Sequence, residues 1–387
     1  MTTREDRLVA AGPSVGPGRW LGVLDELMTR IGSRFSRVEP RRRARAFVLG
    51  LLAELPRKNC WTIAEHAGDP SPDRMQHLLA RAKWDAGGVR DDVRGYVIEH
   101  LGDPGAVLVI DETGDVKKGT ATAGVQRQYT GTAGRIENAQ VAVYLGYAAP
   151  RGHALIDREL YLPRSWTDDP GRCAAAGIPA TVTFATKPQL AKRMIERAAG
   201  AAVPFAWVAG DEVYGDNGPL RTWLETRRTG YVLAVACDHR VPAGAGHTIR
   251  ADQLAARLPR KAWQRLSAGT GAKGHRWYDW AWVTINDPGP GHRQARRWTS
   301  WYRWVTLAML AAAALTIAAA LEHAHGPGPA DQIPLTRNEI AHLLSSLTIR
   351  PAHDTTHQMR WSSWRRRHQH RARTCHYQRQ TAKDQGT

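Results

Sequence analysis

Residues 106–114 read Ala106-Val107-Leu108-Val109-Ile110-Asp111-Glu112-Thr113-Gly114, and this stretch decides the fold. Its unbroken apolar run, Ala106–Ile110, has the pattern of a buried strand rather than of a half-exposed, alternating one. The run ends directly on a carboxylate. A second run, Phe205–Ala209, is followed in the same way by Asp211. Between them, Val141–Ala148 and His153–Leu162 read as two more strands joined by short Gly/Pro turns, and Pro188–Ala199 as a helix. A helix at Leu220–Thr226 and a strand at Tyr231–Cys237 complete the series. Three successive strands followed by alternating helix and strand predict an α/β fold, a mixed sheet with helices on its faces.

Upstream of this region the period is helical. Trp20, Leu21, Leu24, Leu27, Met28, Ile31 and Phe35 recur at three- and four-residue steps, one face of an amphipathic helix. Pro40 suits the first turn of a second helix, whose start carries Arg41, Arg42, Arg43 and Arg45. Thr62 and Glu65 have capping-box spacing. Ser71 and Pro72 can start a helix running through Trp84, after a break at Gly68-Asp69-Pro70. Two short helices about a tight break resemble a helix-turn-helix, which would lay the second against DNA; any small helical bundle has the same look.

Downstream, Val241–Pro288 is poor in pattern, with one credible strand near Trp280–Ile285. Trp301–Glu322 reads as a long helix, Pro327–Pro334 as a linker and Leu335–Leu347 as a short helix. The tail interleaves Arg360, Arg365, Arg366, Arg367, Arg371, Arg373 and Arg379 with Trp361, Trp364 and Tyr377. The expected organisation is a helical N-terminal DNA-binding region (1–100), the sheet domain (101–300), C-terminal helices (301–350) and a basic tail (351–387).

Charge narrows the partner. The 387 residues carry 54 Lys and Arg against 36 acids, a formal charge of +18. Such a surface calls for a polyanion, either nucleic acid or an anionic membrane. Val305–Leu321, the most apolar run, is alanine-rich and short for a span, so a buried helix is expected and no membrane partner. Met1–Gly12 has no apolar core of the kind a secretion signal needs, which points to the cytoplasm. Cys60, Cys173, Cys237 and Cys375 are scattered without a CxxC pair, the usage of reduced thiols rather than of a zinc site.

The chemistry rests on Asp111 and Asp211. At the C-terminal ends of neighbouring strands in an open sheet, residues distant in sequence meet. Two carboxylates there repel unless a cation lies between them, and Mg²⁺ suits oxygen ligands and octahedral geometry. Paired ions about 4 Å apart can activate a water or 3′-hydroxyl and stabilise the departing oxygen of a phosphodiester. An Asp after a strand also serves as a turn residue or helix N-cap, which explains most single instances.

The motif Val109-Ile110-Asp111-Glu112-Thr113-Gly114 with Lys117-Lys118-Gly119 resembles the first catalytic motif of an insertion-sequence transposase family. Gln126–Tyr129, Gly131–Asn138 (GTAGRIEN) and Leu160–Asp169 (LYLPRSWTDD) fit the same pattern, and Gly210-Asp211-Glu212-Val213-Tyr214-Gly215 resembles the second motif. Tyr231–Ala236, Trp301–Leu310 and the Trp-containing basic tail extend the likeness over about Trp20 to Tyr377. The family is the IS-seven-oh-one type of the DDE superfamily endonucleases. The resemblance implies a ribonuclease-H-like catalytic domain, Mg²⁺ or Mn²⁺, and strand cleavage and transfer at the terminal inverted repeats of double-stranded DNA. It makes Asp111 and Asp211 the first two metal ligands and Lys117 and Lys118 candidate phosphate contacts. Arg41, Arg42, Arg43, Arg365, Arg366 and Arg367 are the further candidates for DNA contact by charge. A nucleoid-associated protein is implied, with a second copy or an intact transposase as a further partner.

One part of the family pattern is missing. The third ligand should be a Glu on a helix after the last core strand, yet no Glu occurs between Glu225 and Glu322. After Asp287 the next carboxylate is Glu322. The run through residues 288–297 therefore reads as an internal deletion that removes that helix. Two carboxylates hold one divalent ion tolerably and a second poorly. The expectation is an impaired transposase, or else a DNA-binding remnant or inhibitor, with apolar surface bared where a helix has gone. Glu322 is the only evident substitute, should Trp301–Glu322 move into the vacated place.

Overall fold

The computed structural model describes residues 17–242, 247–271, 274–283, 295–296, 299–324, 335–349 and 354–384. The N-terminal residues read for a secretion signal, and most of the deletion point, lie outside this set.

The chain opens with helices. α1 (Pro17–Arg30) buries Trp20, Leu24, Leu27 and Met28, the stripe its spacing predicts, and a 3₁₀ turn follows at Ile31–Arg34. α2 (Val38–Leu52) begins two residues before Pro40, which therefore sits within the first turn and not at its head. α3 (Cys60–His66) is capped by Asn59, whose side chain accepts the Trp61 and Thr62 N–H groups at 2.9 and 3.2 Å. Thr62 returns a hydroxyl acceptor to the Asn59 N–H, so it is the third residue of the capping box and not the cap expected. α4 (Asp73–Ala80) stops short of Trp84, which leaves the helix to stack on Phe35 at 5.2 Å. α5 (Ala86–Leu101), capped by Asp85, leads into the sheet.

The sheet is mixed, as expected. β1 (Val107–Val116), β2 (Gln126–Thr130), β3 (Arg135–Ala149) and β4 (Gly152–Leu162) come first. Two short helices, α6 (Arg164–Thr167) and α7 (Pro170–Ala175), and a longer one, α8 (Lys187–Gly200), follow. β5 (Trp207–Gly210), α9 (Glu212–Gly215), α10 (Gly218–Thr226) and β6 (Gly230–Leu233) complete the unit. The order is β4-β3-β1-β5-β6, with β2 paired to β3. β3 runs antiparallel to both β1 and β4, whereas β1, β5 and β6 are parallel.

β1 is longer than its apolar run. Its parallel ladder to β5 ends at Ile110↔Gly210, but its antiparallel ladder to β3 continues to Val116↔Ala139. Asp111 thus stands in mid-strand, not at a strand end. It is the first residue beyond the ladder with β5, and so still faces the place where β5 stops.

The two faces differ. Leu108, Ile110, Val143, Leu145, Tyr147 and Val208 are buried in a core shared with Leu190, Met194 and Ile195 of α8. On the other face one rung crosses five strands: Leu155, Gly146, Val109, Ala209 and Val232 are successive ladder partners. Here Leu155 is 36%, Val109 39%, Val232 67% and nearby Trp207 47% exposed. Among the described residues nothing buries this strip. Asp111, two residues on from Val109, points to the same side.

Beyond the sheet come a short pair, β7 (Arg240–Pro242) and β8 (Thr248–Arg250), and α11 (Ala251–Arg257). A two-stranded hairpin follows, β9 (Trp263–Gly271) and β10 (Gly274–Ala281); of the strand expected near Trp280–Ile285 only Trp280 and Ala281 belong to β10, residues 282–283 are not strand, and 284–285 lie outside the described residues. β11 (Ala295–Arg296) pairs with β4.

α12 (Thr299–Ala324) is apolar along its length. Its Val305–Ala324 segment is long enough to cross a membrane, contrary to the expectation from length, but its best window is 67% buried within the protein. Leu307, Leu310, Ala313 and Ile317 join the same core as α1, α5 and the sheet. A buried polar set fastens it to β4: the Arg158 guanidinium donates to Thr306 Oγ1 at 2.7 Å, and the Tyr302 hydroxyl donates to Glu159. Arg197 of α8 pairs with Asp157 and Glu159 from beneath.

α13 (Arg337–Leu347) and α14 (Thr355–Asp384) end the chain. The basic tail is therefore helical. Trp361 is fully buried, its indole N–H donating to the Asp69 carbonyl at 2.7 Å.

Candidate active site and nucleic-acid face

Asp211 follows β5 and caps α9, accepting the Val213 N–H at 3.0 Å. It is both the N-cap that an Asp in this position commonly is and the neighbour of Asp111. Register puts the two on adjacent strands, which lie about 4.8 Å apart in a sheet. Asp111 accepts the Glu112 N–H at 2.7 Å. Both aspartates are exposed.

Four residues that sequence reasoning missed complete the site. Glu112 points to the opposite, covered side of β1, where Lys187, at the start of α8, pairs with it. The Tyr214 hydroxyl donates to the other Glu112 oxygen at 3.1 Å. Tyr161 lies under the Lys187 ammonium at 5.4 Å. α8 is held there by its own cap, Thr186 and Gln189 exchanging side-chain and backbone bonds. Glu112 stood in the quoted motif, but nothing in the pattern tied it to partners 75 and 102 positions away.

The electrostatics record the crowding. Burial pushes the Asp211 carboxyl above the ordinary range, and the charges of Glu112 and Asp111 push it further; Lys187 opposes them. The buried Tyr214 hydroxyl is driven well above its usual value by burial first, then by Glu112 and the two aspartates. A cation set against Asp111 and Asp211 would relieve this repulsion, so the residues fit one divalent ion. They do not amount to a three-carboxylate cage: among the described residues no group of three or more His, Cys, Asp or Glu is placed to hold a metal.

The substitute ligand fails on geometry. Glu322 is nearly buried at the end of α12 and accepts the Trp20 indole N–H at 2.9 Å and an Arg19 N–H at 3.2 Å. It fastens α12 to α1.

The basic candidates divide. Arg43 pairs with the buried Asp69, and Arg365 pairs with Glu65 at 2.7 Å; both hold helices together. Arg41 packs against Gly32. Arg42, Arg366 and Arg367 are exposed. Lys117 pairs with Asp115 and Lys118 is exposed, but both follow the far end of β1, roughly 20 Å along the strand from Asp111 at about 3.3 Å per residue.

Aspartates placed just past the end of the ladder between two adjoining parallel strands, with a charged helix start beside them, are the arrangement used by metal-dependent phosphoryl-transfer enzymes. The family model of the DDE superfamily endonucleases matches residues 30–286, about two thirds of the chain, and the chain belongs to that family. Divalent-metal dependence is general to it. The chain is also similar to a probable transposase for insertion sequence element IS701 from Microchaete diplosiphon, 29% identical over 199 residues. That match covers 50% of this chain and 48% of the relative, so the chain spans about half the length of the curated relative it matches.

Proposed function

We propose that this chain is an insertion-sequence DNA transposase by descent, with catalysis impaired, acting on the terminal inverted repeats of double-stranded DNA in the cytoplasm. The observation that carries the reading is the placement of Asp111 and Asp211 just beyond the ladder of the parallel strands β1 and β5, in a member of this endonuclease family. The strand order β4-β3-β1-β5-β6, with β3 antiparallel, supports a ribonuclease-H-like catalytic domain. Asp111 and Asp211 would hold one Mg²⁺ or Mn²⁺, which supplies Lewis-acid activation of a water or 3′-hydroxyl and offsets phosphate charge. Lys187 and Tyr214 act on Glu112, holding its carboxylate off the metal side and tying α8 and α9 to β1. In this way they fix where Asp211 stands relative to Asp111. With two carboxylates, binding of a second ion is weak, which is the physical basis of the impairment.

A second reading, a non-catalytic DNA-binding remnant or inhibitor of an intact transposase, is favoured by the engagement of Glu322 with Trp20 and Arg19, which leaves no replacement ligand there. The test is cleavage of a supercoiled plasmid bearing the element's own ends, with Mg²⁺ or Mn²⁺, beside Asp111→Asn. Nicking that needs the metal and vanishes in the variant supports the first reading. No nicking, with salt-sensitive binding to the ends retained, supports the second.

A further inference from the structure

The docking of α14 onto α3 brings the two ends of the chain to one surface. Trp361 is buried on the Asp69 carbonyl, Trp364 meets Trp61 edge-on at 4.8 Å, and Arg365 is spent on Glu65. The neighbouring residues Arg366, Arg367 and Arg371 stay exposed beside this seam. α4 lies next to it. Its Met75, Leu78 and Leu79 are buried, while Arg74, Gln76, His77 and the following Arg81 are exposed.

Two hollows flank α4. One, of about 910 Å³, lies toward α2 and is lined by Arg37, Arg74, His77 and Arg81, with the carboxylates Glu39 and Asp73 also on its wall. The other, of about 430 Å³, lies toward α14 and is lined by Trp61, Trp364, His368 and Arg371. Gln76 borders both. α4 is thus a ridge with arginines on either side. Arg37, Arg81, Arg367 and Arg371 make no ion pair among the described residues, so their charge is not used within the fold.

We propose that α4 is the duplex-DNA recognition helix and that α14 completes its binding surface. Arg37 and Arg81 contact phosphates on one side, Arg367 and Arg371 on the other, and Arg74 and Gln76 face base edges. A helix 10–12 Å across fits the major groove of B-form DNA, about 12 Å wide, with the two backbones at its flanks. Arg and Gln are the side chains that read guanine and adenine there by paired hydrogen bonds. Duplex RNA is disfavoured because its major groove is too narrow to admit a helix. The inference rests on the reading of the chain as DNA-acting, yet uses a surface separate from the carboxylates.

The test is binding of the full chain to fluorescently labelled duplexes in metal-free buffer across a salt series. One duplex carries the element's ends and the other a mixed sequence. Arg37→Ser with Arg81→Ser, and separately Arg367→Ser with Arg371→Ser, are expected to weaken both complexes about tenfold or more at low salt. Each pair should lower the slope of log affinity against log salt by about 2, since each phosphate contact contributes roughly 0.9. Gln76→Ala with Arg74→Ala should erase the preference for the element's ends. The substituted residues about α4 and α14 are all exposed, and matching unfolding curves verify the fold. Wall variants that bind like the unaltered chain, or lose affinity with no change in slope, overturn the proposal, as does equal binding of duplex RNA. Loss of duplex binding in the wall variants upholds it even if no plasmid nicking is found. Nicking with unaffected wall variants sinks this inference alone.

Discussion

Gly215 gives the sharpest test because its sign runs against ordinary expectation. It ends α9, the single turn that Asp211 caps, and its backbone angle φ is not positive, so Ala would fit the local conformation. In an unencumbered helix, Gly→Ala gains up to about 1 kcal/mol. Here a Cβ would fall 1.7 Å from the Ala234 carbonyl oxygen, backbone that follows β6. A relaxed contact needs about 3.2 Å or more, so α9 and the end of β6 must part by roughly 1.5 Å, which no side-chain rotation can supply. Overpacking of this kind costs about 1–3 kcal/mol, and a forced backbone shift lies at the upper end. Net of the helix gain, Gly215→Ala should destabilise by about 2 kcal/mol, lowering the midpoint of thermal unfolding by several degrees. Because Asp211 moves with α9, protection against unfolding by Mn²⁺ should weaken as well. Calorimetry with and without Mn²⁺ reads both. A midpoint equal to or above that of the unaltered chain would refute the close approach and the argument that α9 is positioned by β6.

Asp211→Asn keeps a good N-cap while removing a charge. Since the folded carboxyl sits above its ordinary value near 3.8, its ionisation costs stability that is absent below that value and complete once the pH has risen past the folded value. The variant should therefore be more stable at neutral pH, by a small margin given solvent screening, and equal in stability at low pH. Unfolding midpoints across pH read this, and no gain at neutral pH would contradict the crowding. Arg158→Met leaves Asp157 and Glu159 with Arg197 but takes the donor from the Ala86 carbonyl and Thr306 Oγ1, and should cost about 1–3 kcal/mol; urea unfolding that shows no loss would place Arg158 outside the network. Glu322→Gln keeps an acceptor for the Trp20 indole and should leave any metal-dependent cleavage unchanged, with a small loss of stability from the weakened Arg19 contact. A selective loss of cleavage would return Glu322 to the metal.

The sheet was legible because its central strands are apolar on both sides, and Asp111 and Asp211 because each follows such a run. The length of β1 was not, since residues 111–116 are polar or small and become strand only through pairing with β3. Glu112, Lys187 and Tyr214 meet through tertiary packing that leaves no periodic trace. Arg43 and Arg365 look like their exposed neighbours in sequence; burial of Asp69 and the docking of Trp361 turn them into structural ion pairs. The same docking hides in a run of arginines that composition alone offers to nucleic acid. The hairpin of β9 and β10 has aromatic residues exposed on it, including Trp277, Tyr278 and Trp280, so its strands lack the alternation that burial of one face imposes.

The bare strip from Leu155 through Val109 to Val232 has a consequence for the life of the protein in a cell. Contiguous valine, leucine and tryptophan on a folded sheet resemble what chaperones and proteases meet on unfinished chains. The strip is therefore expected to make turnover, alongside synthesis, a determinant of how much of the protein accumulates.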